Sequence, residues 1–261
     1  MNDSEVKQYW EQNAEAWTAL SRAGYDVYRD IVNAPAFLKM LPEVKELKGL
    51  DIGCGEGHNT RLVAQRGALL TGIDISDTFL RHARTKEAEQ PLGIKYLTAS
   101  GQNMDFSDNS FDFCMATMSL MDMPDPAKAM SEAYRVLKPG GFFQFSIGHP
   151  CFGTPKWQWQ KDEKGLRSAL LCGDYFVRQN GNVEQWIFGA APDEEKNKYQ
   201  PFKIPRFTMI LSDWVNTLIK TGFRIEEFCE PYPDQETAQK YPSVADAAII
   251  AYFLIIRCRK P

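Results

Sequence analysis

The residues whose types and spacing could bind a ligand lie in Leu50–Thr60, LDIGCGEGHNT. Gly53, Gly55 and Gly57 directly follow a short apolar run, Asp51 precedes them, and a second acid, Asp74, comes 17 residues after Gly57 in GIDIS. Glycine lets a ligand approach bare backbone, and the free N–H groups at a helix start favour negative charge. A carboxylate at the carboxyl end of the next strand can accept hydrogen bonds from two ribose hydroxyls. Which ligand is bound remains open at this point. A dinucleotide pyrophosphate calls for G-x-G-x-x-G, and here His58 stands where the third glycine belongs. The triplet alone fits a plain turn equally well.

Few other residues offer chemistry. His149 sits just past an expected strand, where it is the single candidate for a general base or an acceptor contact; ordering the His149-Pro150 turn is the alternative. The six cysteines form no CxxC pair and the three histidines no i, i+4 pair, so no metal site is expected and the thiols read as buried and reduced.

These residues need elements to hold them. From Leu47 onward, short apolar runs alternate with polar helical windows: strands over 49–53, 69–74, 94–99, 111–118 and 142–147, and helices over 58–65, 77–89 and 126–137. That alternation predicts a parallel sheet with helices on both faces, an α/β fold. Ser76 is placed to cap the second helix, Asp125 with Pro126 opens the third, and Lys138-Pro139-Gly140-Gly141 closes it. After an interruption, Ser212 is the expected cap of a helix ending at Gly222, and 223–229 and 248–256 read as two more strands.

Residues 1–45 carry an amphipathic helix over 4–22 with an aromatic stripe and a short helix from Pro35. We expect them to form an N-terminal helical lid. Residues 46–148 and 207–261 make the core. Residues 149–206 break the alternation, are rich in aromatics and read as an inserted cap, with Asn180-Gly181 as a hairpin turn. Within it Trp157 and Trp159, two apart, are expected to line an apolar acceptor pocket.

With 44% hydrophobic residues the chain can bury a core, and a net charge of −4 argues against a nucleic-acid partner. The longest apolar run, ten residues from Ala247 to Ile256, falls short of the ~20 needed to span a bilayer. The opening MNDSEVKQYWEQN shows no signal-peptide pattern, so a soluble, cytoplasmic protein is expected.

Four ordered motifs, LDIGCGEG, GIDIS, ASGQNMDFSDNSFDF and RVLKPGGFF, make the stretch from Leu50 to Ile147 resemble a class I S-adenosylmethionine-dependent methyltransferase of the small-molecule type that includes quinone-biosynthesis enzymes. The resemblance implies a Rossmann-like, seven-stranded, mostly parallel sheet with a reversed last strand, and S-adenosylmethionine as cofactor. By the same resemblance the backbone of Gly53, Cys54 and Gly55 meets the methionine part, Asp51 holds the amino group and Asp74 the ribose. Ile75 lies against the adenine, Gly101 and Gln102 at its edge, and Thr117 and Met118 beneath the methionine chain. One departure stands out: relatives commonly carry Asp where this chain has Ser100. Tyr9 and Tyr28 are expected to close over the sulfonium, since aromatic faces attract cations. The expected activity is methyl transfer to a small, partly apolar acceptor by in-line displacement, with no assignment of oligomeric state. A nicotinamide-dependent oxidoreductase and a non-catalytic binder of the same cofactor are the alternatives.

Overall fold

The computed structural model describes residues 1–261. In chain order the elements are α1 (Asp3–Arg22), α2 (Ala34–Met40), β1 (Lys48–Ile52), α3 (His58–Ala64), β2 (Leu69–Asp74), α4 (Asp77–Glu89), β3 (Lys95–Thr98), β4 (Phe111–Thr117), α5 (Pro126–Val136) and β5 (Leu137–Gly148). There follow β6 (Lys156–Lys161), β7 (Arg167–Gly173), β8 (Asn180–Trp186), α6 (Asp193–Lys196), β9 (Phe202–Phe207), α7 (Leu211–Thr221), β10 (Arg224–Cys229), α8 (Gln235–Lys240) and β11 (Phe253–Arg259).

Seven strands form one sheet in the order β10-β11-β5-β4-β1-β2-β3, parallel from β5 to β3, with β11 antiparallel to both its neighbours. Period-two alternation along β4 feeds two cores. Cys114 and Ala116 join Phe143, Phe145 and Trp214 on the α5–α7 side, while Phe113 and Met115 join Phe37, Val63 and Leu80 on the other. Burial of both faces explains the nearly continuous apolar run of this strand. The chain reverses direction of travel across the sheet between β1 and β4, which opens a crevice at their carboxyl ends.

Local signals position the helices around that crevice. Ser76 Oγ accepts from Phe79 N–H at 3.1 Å and starts α4, and Asp125 Oδ1 accepts from Lys128 N–H at 3.0 Å ahead of Pro126 in α5. Asn2 and Glu5 close a reciprocal cap on α1.

Three expectations fail. Asn180-Gly181 is not a hairpin turn: Gly181, at φ +92°, lies inside β8, and the register with β9 slips there, so this glycine makes a bulge. The hairpin of the inserted segment is β6–β7 instead. Ser212 falls inside the first turn of α7, with Ile210 at the cap position and no side chain capping it, although Gly222 at φ +104° does end the helix. The last strand starts at Phe253; residues 242–248 form 3₁₀ turns, in which Asp246 accepts side-chain bonds from Tyr28 and Tyr252.

The inserted segment does not stand alone. Asn13 of α1 makes two hydrogen bonds with the Lys203 backbone of β9, both 2.9 Å, and Ala16 and Leu20 share a small core with Phe188, Phe202 and Ile204. No helix is long and apolar enough to cross a membrane.

Candidate active site

A cavity of about 1050 Å³ opens at the carboxyl ends of the strands on either side of the crevice. Its floor is the turn after β1. Gly53 and Cys54 both donate their N–H to the Ile73 carbonyl, at 2.8 and 2.9 Å, which folds the turn back onto β2. Gly53 adopts φ +74°, and a Cβ there would lie 2.5 Å from Ser119 Cβ. Gly55, at φ +54°, faces open space, with nothing within 4 Å of where its Cβ would be. The first position is glycine for packing and conformation; the second leaves room for a ligand.

Asp74, at the end of β2, turns its carboxylate to this floor. Oδ2 accepts from Gly55 N–H at 2.8 Å and Oδ1 from Ser76 N–H at 2.9 Å. Burial pushes its pKa up to about 6 against the pull of those donors. Ile75, Gly101, Gln102, Thr117 and Met118 line the same cavity with Gly53, Cys54, Gly55 and Asp74, so nine residues named from the sequence converge as expected. Tyr28 joins them. Met118 holds φ +55°, an uncommon conformation for a side-chain-bearing residue, at the end of β4.

Three sequence candidates are not brought to the cavity wall. Asp51 lies fully buried on β1, where Oδ2 accepts from Thr60 Oγ1 at 2.7 Å and Oδ1 has no partner; burial pushes its pKa up to about 7. Tyr9 is one residue from Trp10, which does line the cavity, and a helix turns ~100° per residue, so the two rings cannot share a face. His149 is buried and turned elsewhere. Its Nε2 bonds Glu230 Oε1 at 2.7 Å and its Nδ1 accepts Cys151 N–H at 3.2 Å, beside a separate small cleft between Val215, Phe228 and Leu254. The geometry is that of a histidine ordering the turn after β5. The two cap tryptophans miss the cavity as well: Trp157 is 57% exposed, and Trp159 lies under Arg167 at 4.9 Å and against Tyr252.

The structure adds wall residues that no motif announced. Arg29 lines the cavity with its guanidinium held by Asp30 at 2.8 Å and by Asp26 and Glu56 at 3.7 Å. Asp26 is buried enough for its pKa to rise to about 6. His58, beside this group, is shifted down by burial and by Arg29, so it brings no positive charge at neutral pH. Farther along the wall, Tyr28 and Tyr252 donate to the two oxygens of Asp246 at 2.7 and 2.8 Å, and Arg167 pairs with the same carboxylate. Burial and the neighbouring acid push Tyr28 up to about 12, so its hydroxyl stays a donor. Asp122 lines the cavity on the short turn after β4. Neither of its oxygens accepts a hydrogen bond from the chain, Oδ1 is sealed from solvent, and burial pushes its pKa up to about 7.

Comparison with known proteins agrees with this arrangement. Residues 50–145 match a family model described as a methyltransferase domain. The malonyl-[acyl-carrier protein] O-methyltransferase of Pectobacterium atrosepticum is 30% identical over 124 residues, 47% of each chain. The ubiquinone biosynthesis O-methyltransferase of Saccharophagus degradans is 34% identical over 105 residues, 40% of this chain and 44% of that one. The aligned part spans about half the length of these curated relatives. A crystal structure of an S-adenosylmethionine-dependent methyltransferase from Mesorhizobium loti superposes with a TM-score of 0.71 at 28% identity, covering 86% of this chain and 96% of that one. Residues 50–145 form a methyltransferase domain.

The methyltransferase domain supplies the floor, and segments outside it supply the far wall. Tyr28 and Arg29 precede it, and Arg167, Arg206, Asp246 and Tyr252 follow it. Sequence motifs find the first set because those residues are neighbours in the chain. The second set is gathered only by the fold.

Proposed function

We propose that the protein transfers a methyl group from S-adenosylmethionine to a small-molecule acceptor. The observation that carries the reading is the pairing of a bare-backbone floor at Gly53–Gly55 with a carboxylate, Asp74, held against it by two N–H donors. The surroundings suit a zwitterionic nucleoside better than a pyrophosphate. Asp26, Glu56 and Asp74 line this part of the cavity with Asp30 and Asp51 behind them, and of the nearby cations Arg29 is already shared by three acids and Arg22 is paired with Glu56. A dinucleotide phosphate would meet more negative charge than positive there. This weighs against the nicotinamide alternative, as does His58 in place of the third glycine.

In this reading Gly53, Cys54 and Gly55 present backbone to the methionine part, with Arg29 facing its carboxylate. Asp51, buried behind the turn and off the cavity wall, acts on its ammonium through charge and not by contact. Asp74 takes the ribose hydroxyls, Ile75, Gly101 and Gln102 border the adenine, and Thr117 and Met118 support the methionine chain. Bound S-adenosylmethionine supplies an electrophilic methyl on a sulfonium, displaced in line as the acceptor's lone pair bonds to carbon and the old bonding pair stays on sulfur. The chain's part is to align the partners and keep out water, which can contribute ~7–11 kcal/mol. Where the acceptor nucleophile carries a proton, Asp122 is the unpartnered carboxylate in the cavity that can take it.

At about 1050 Å³ the cavity sits at the top of the usual ~300–1,000 Å³ range for ligand pockets, which supports space for an acceptor beside the cofactor. The aromatic Trp186 and Phe188 on its wall favour a partly apolar acceptor. We assign residues 1–45 as lid, 46–148 with 207–261 as core and 149–206 as acceptor cap. The net negative charge speaks against nucleic acid, and six free cysteines suit the reducing cytoplasm. Calorimetry with S-adenosylmethionine, S-adenosylhomocysteine and NAD tests the ligand class; binding of NAD in preference to both sulfur ligands would overturn it. Transfer of labelled methyl onto a metabolite extract separates an enzyme from a binder.

A further inference from the structure

The first turn of α1 reaches the cavity wall where the loop after β3 ends. Ser100 Oγ and Gln102 Nε2 both donate to the carboxylate of Asp3, almost a hundred residues away in sequence. These two side chains are otherwise occupied: Ser100 Oγ accepts Gln102 N–H at 3.1 Å, and Gln102 Oε1 accepts Asp125 N–H at 2.6 Å. The rest of this stretch of wall is Ile75, Ala99, Gly101 and Met123, none of them charged. Asp3 is therefore the acid among otherwise uncharged residues there. A carboxylate offers about four acceptor positions, so the two bonds from Ser100 and Gln102 leave capacity for a ligand donor.

Deepening the reading above, and resting on it, we propose that Asp3 is the residue that selects the base of the cofactor, by accepting the exocyclic amino group of adenine. The N-terminal helix then supplies the acid that position 100 lacks. Because Asp3 rides on α1, filling the base pocket also holds that helix down. Beside the buried Val6 and the contact of Trp10 with Phe79, its polar ties to the core are a seam of residues spaced by four along one face. Lys7 meets Asp77 at 2.7 Å, Glu11 accepts from the backbone of Asp77 and Thr78, and Glu15 meets His82 at 2.8 Å and Arg81. Most of these groups are well exposed, at 38% and 60% for Lys7 and Asp77, and such pairs contribute little each. The far half of α1 is anchored on β9 through Asn13 and Trp17.

The test compares S-adenosylhomocysteine with its analogue carrying hydrogen in place of the 6-amino group, by calorimetry. Wild-type protein is expected to favour the amino form about 10- to 150-fold, the range for one hydrogen bond to a charged group. Asp3→Ala should bring the two affinities together, mainly by weakening the amino form. Asp3→Ala with Ser100→Asp should restore the preference from the loop side. Amide exchange over residues 3–11 should slow when wild type binds S-adenosylhomocysteine, and slow less in Asp3→Ala. An unchanged preference in Asp3→Ala overturns the inference while leaving the cofactor reading intact. Absence of S-adenosylhomocysteine binding by wild type overturns the cofactor reading itself.

Discussion

Gly53 and Gly55 stand two residues apart in one turn, yet alanine at each should fail in a different way. At Gly53 the added methyl meets Ser119 Cβ at 2.5 Å, and Ser119 cannot step aside freely because its hydroxyl donates to the Ile52 carbonyl at 2.5 Å. The backbone is also at φ +74°. Left-handed backbone costs a non-glycine residue ~1–2 kcal/mol, and overpacking typically ~1–3 kcal/mol, so Gly53→Ala should lose roughly 2–5 kcal/mol of stability. For a chain of this size each kcal/mol lowers Tm by ~2–4 °C. At Gly55 the conformational cost is similar, at φ +54°, but nothing lies within 4 Å of the new atom, so stability should fall by only ~1–2 kcal/mol.

Binding should show the opposite bias. The open space beside Gly55 is where a ligand would approach the backbone, so Gly55→Ala puts a methyl group in its path. An overlap of ~1–3 kcal/mol weakens binding about 5- to 150-fold. Thermal unfolding and calorimetry with S-adenosylhomocysteine on both variants measure the two quantities. If Gly55→Ala binds as tightly as wild type, the floor of the cavity is not the methionine subsite and the assignment of Gly53–Gly55 is refuted.

Three further outcomes follow from the buried acids and from His149. The folded pKa values of Asp51, about 7, and Asp74, about 6, lie above their unfolded values. Any stabilisation from these two groups is thus fully present below about pH 4 and lost progressively as pH rises from there through 6 to 7, while ligand affinity needs their charge. Asp51→Asn should therefore raise Tm at pH 8, change it little below about pH 4 and weaken S-adenosylhomocysteine; a lower Tm at pH 8 would contradict this. His149→Gln should leave the affinity for S-adenosylhomocysteine unchanged and lower Tm, since the ring holds a turn outside the cavity; a loss of affinity would return it to the site. Asp122→Asn should cut labelled-methyl transfer onto a metabolite extract by about 10²-fold with cofactor binding intact, and undiminished transfer would remove Asp122 as proton acceptor.

The floor of the site was legible because its chemistry is local. A strand, a glycine turn and a capped helix are written in contiguous residues, as Ser76 and Asp125 illustrate, and a second acid at the end of the next strand follows the same grammar. The walls were not legible, for a physical reason. Asp3 meets Ser100, Tyr28 meets Asp246 and Asn13 meets Lys203 across roughly 100 to 220 residues, and no periodicity encodes such pairs. Aromatic richness misled at Trp157 and Trp159, neither of which lines the cavity. Gly181 misled in the same way, since the positive φ that suits a hairpin turn serves a bulge equally well.

The raised pKa values tie these parts together. Desolvation of Asp51, Asp74 and Asp26 means these carboxylates at and behind the floor hold their charge at a cost. A site built only for stability would replace them with neutral groups of the same shape, which is why Asp51 Oδ1 without a partner is informative. A cationic ligand relieves that cost by favouring the ionised forms, and by linkage it must lower those pKa values as it binds. A pyrophosphate would do the reverse, raising them further and deepening the penalty. The same buried acids that make the floor expensive in isolation therefore make it selective for a ligand with an ammonium and a sulfonium.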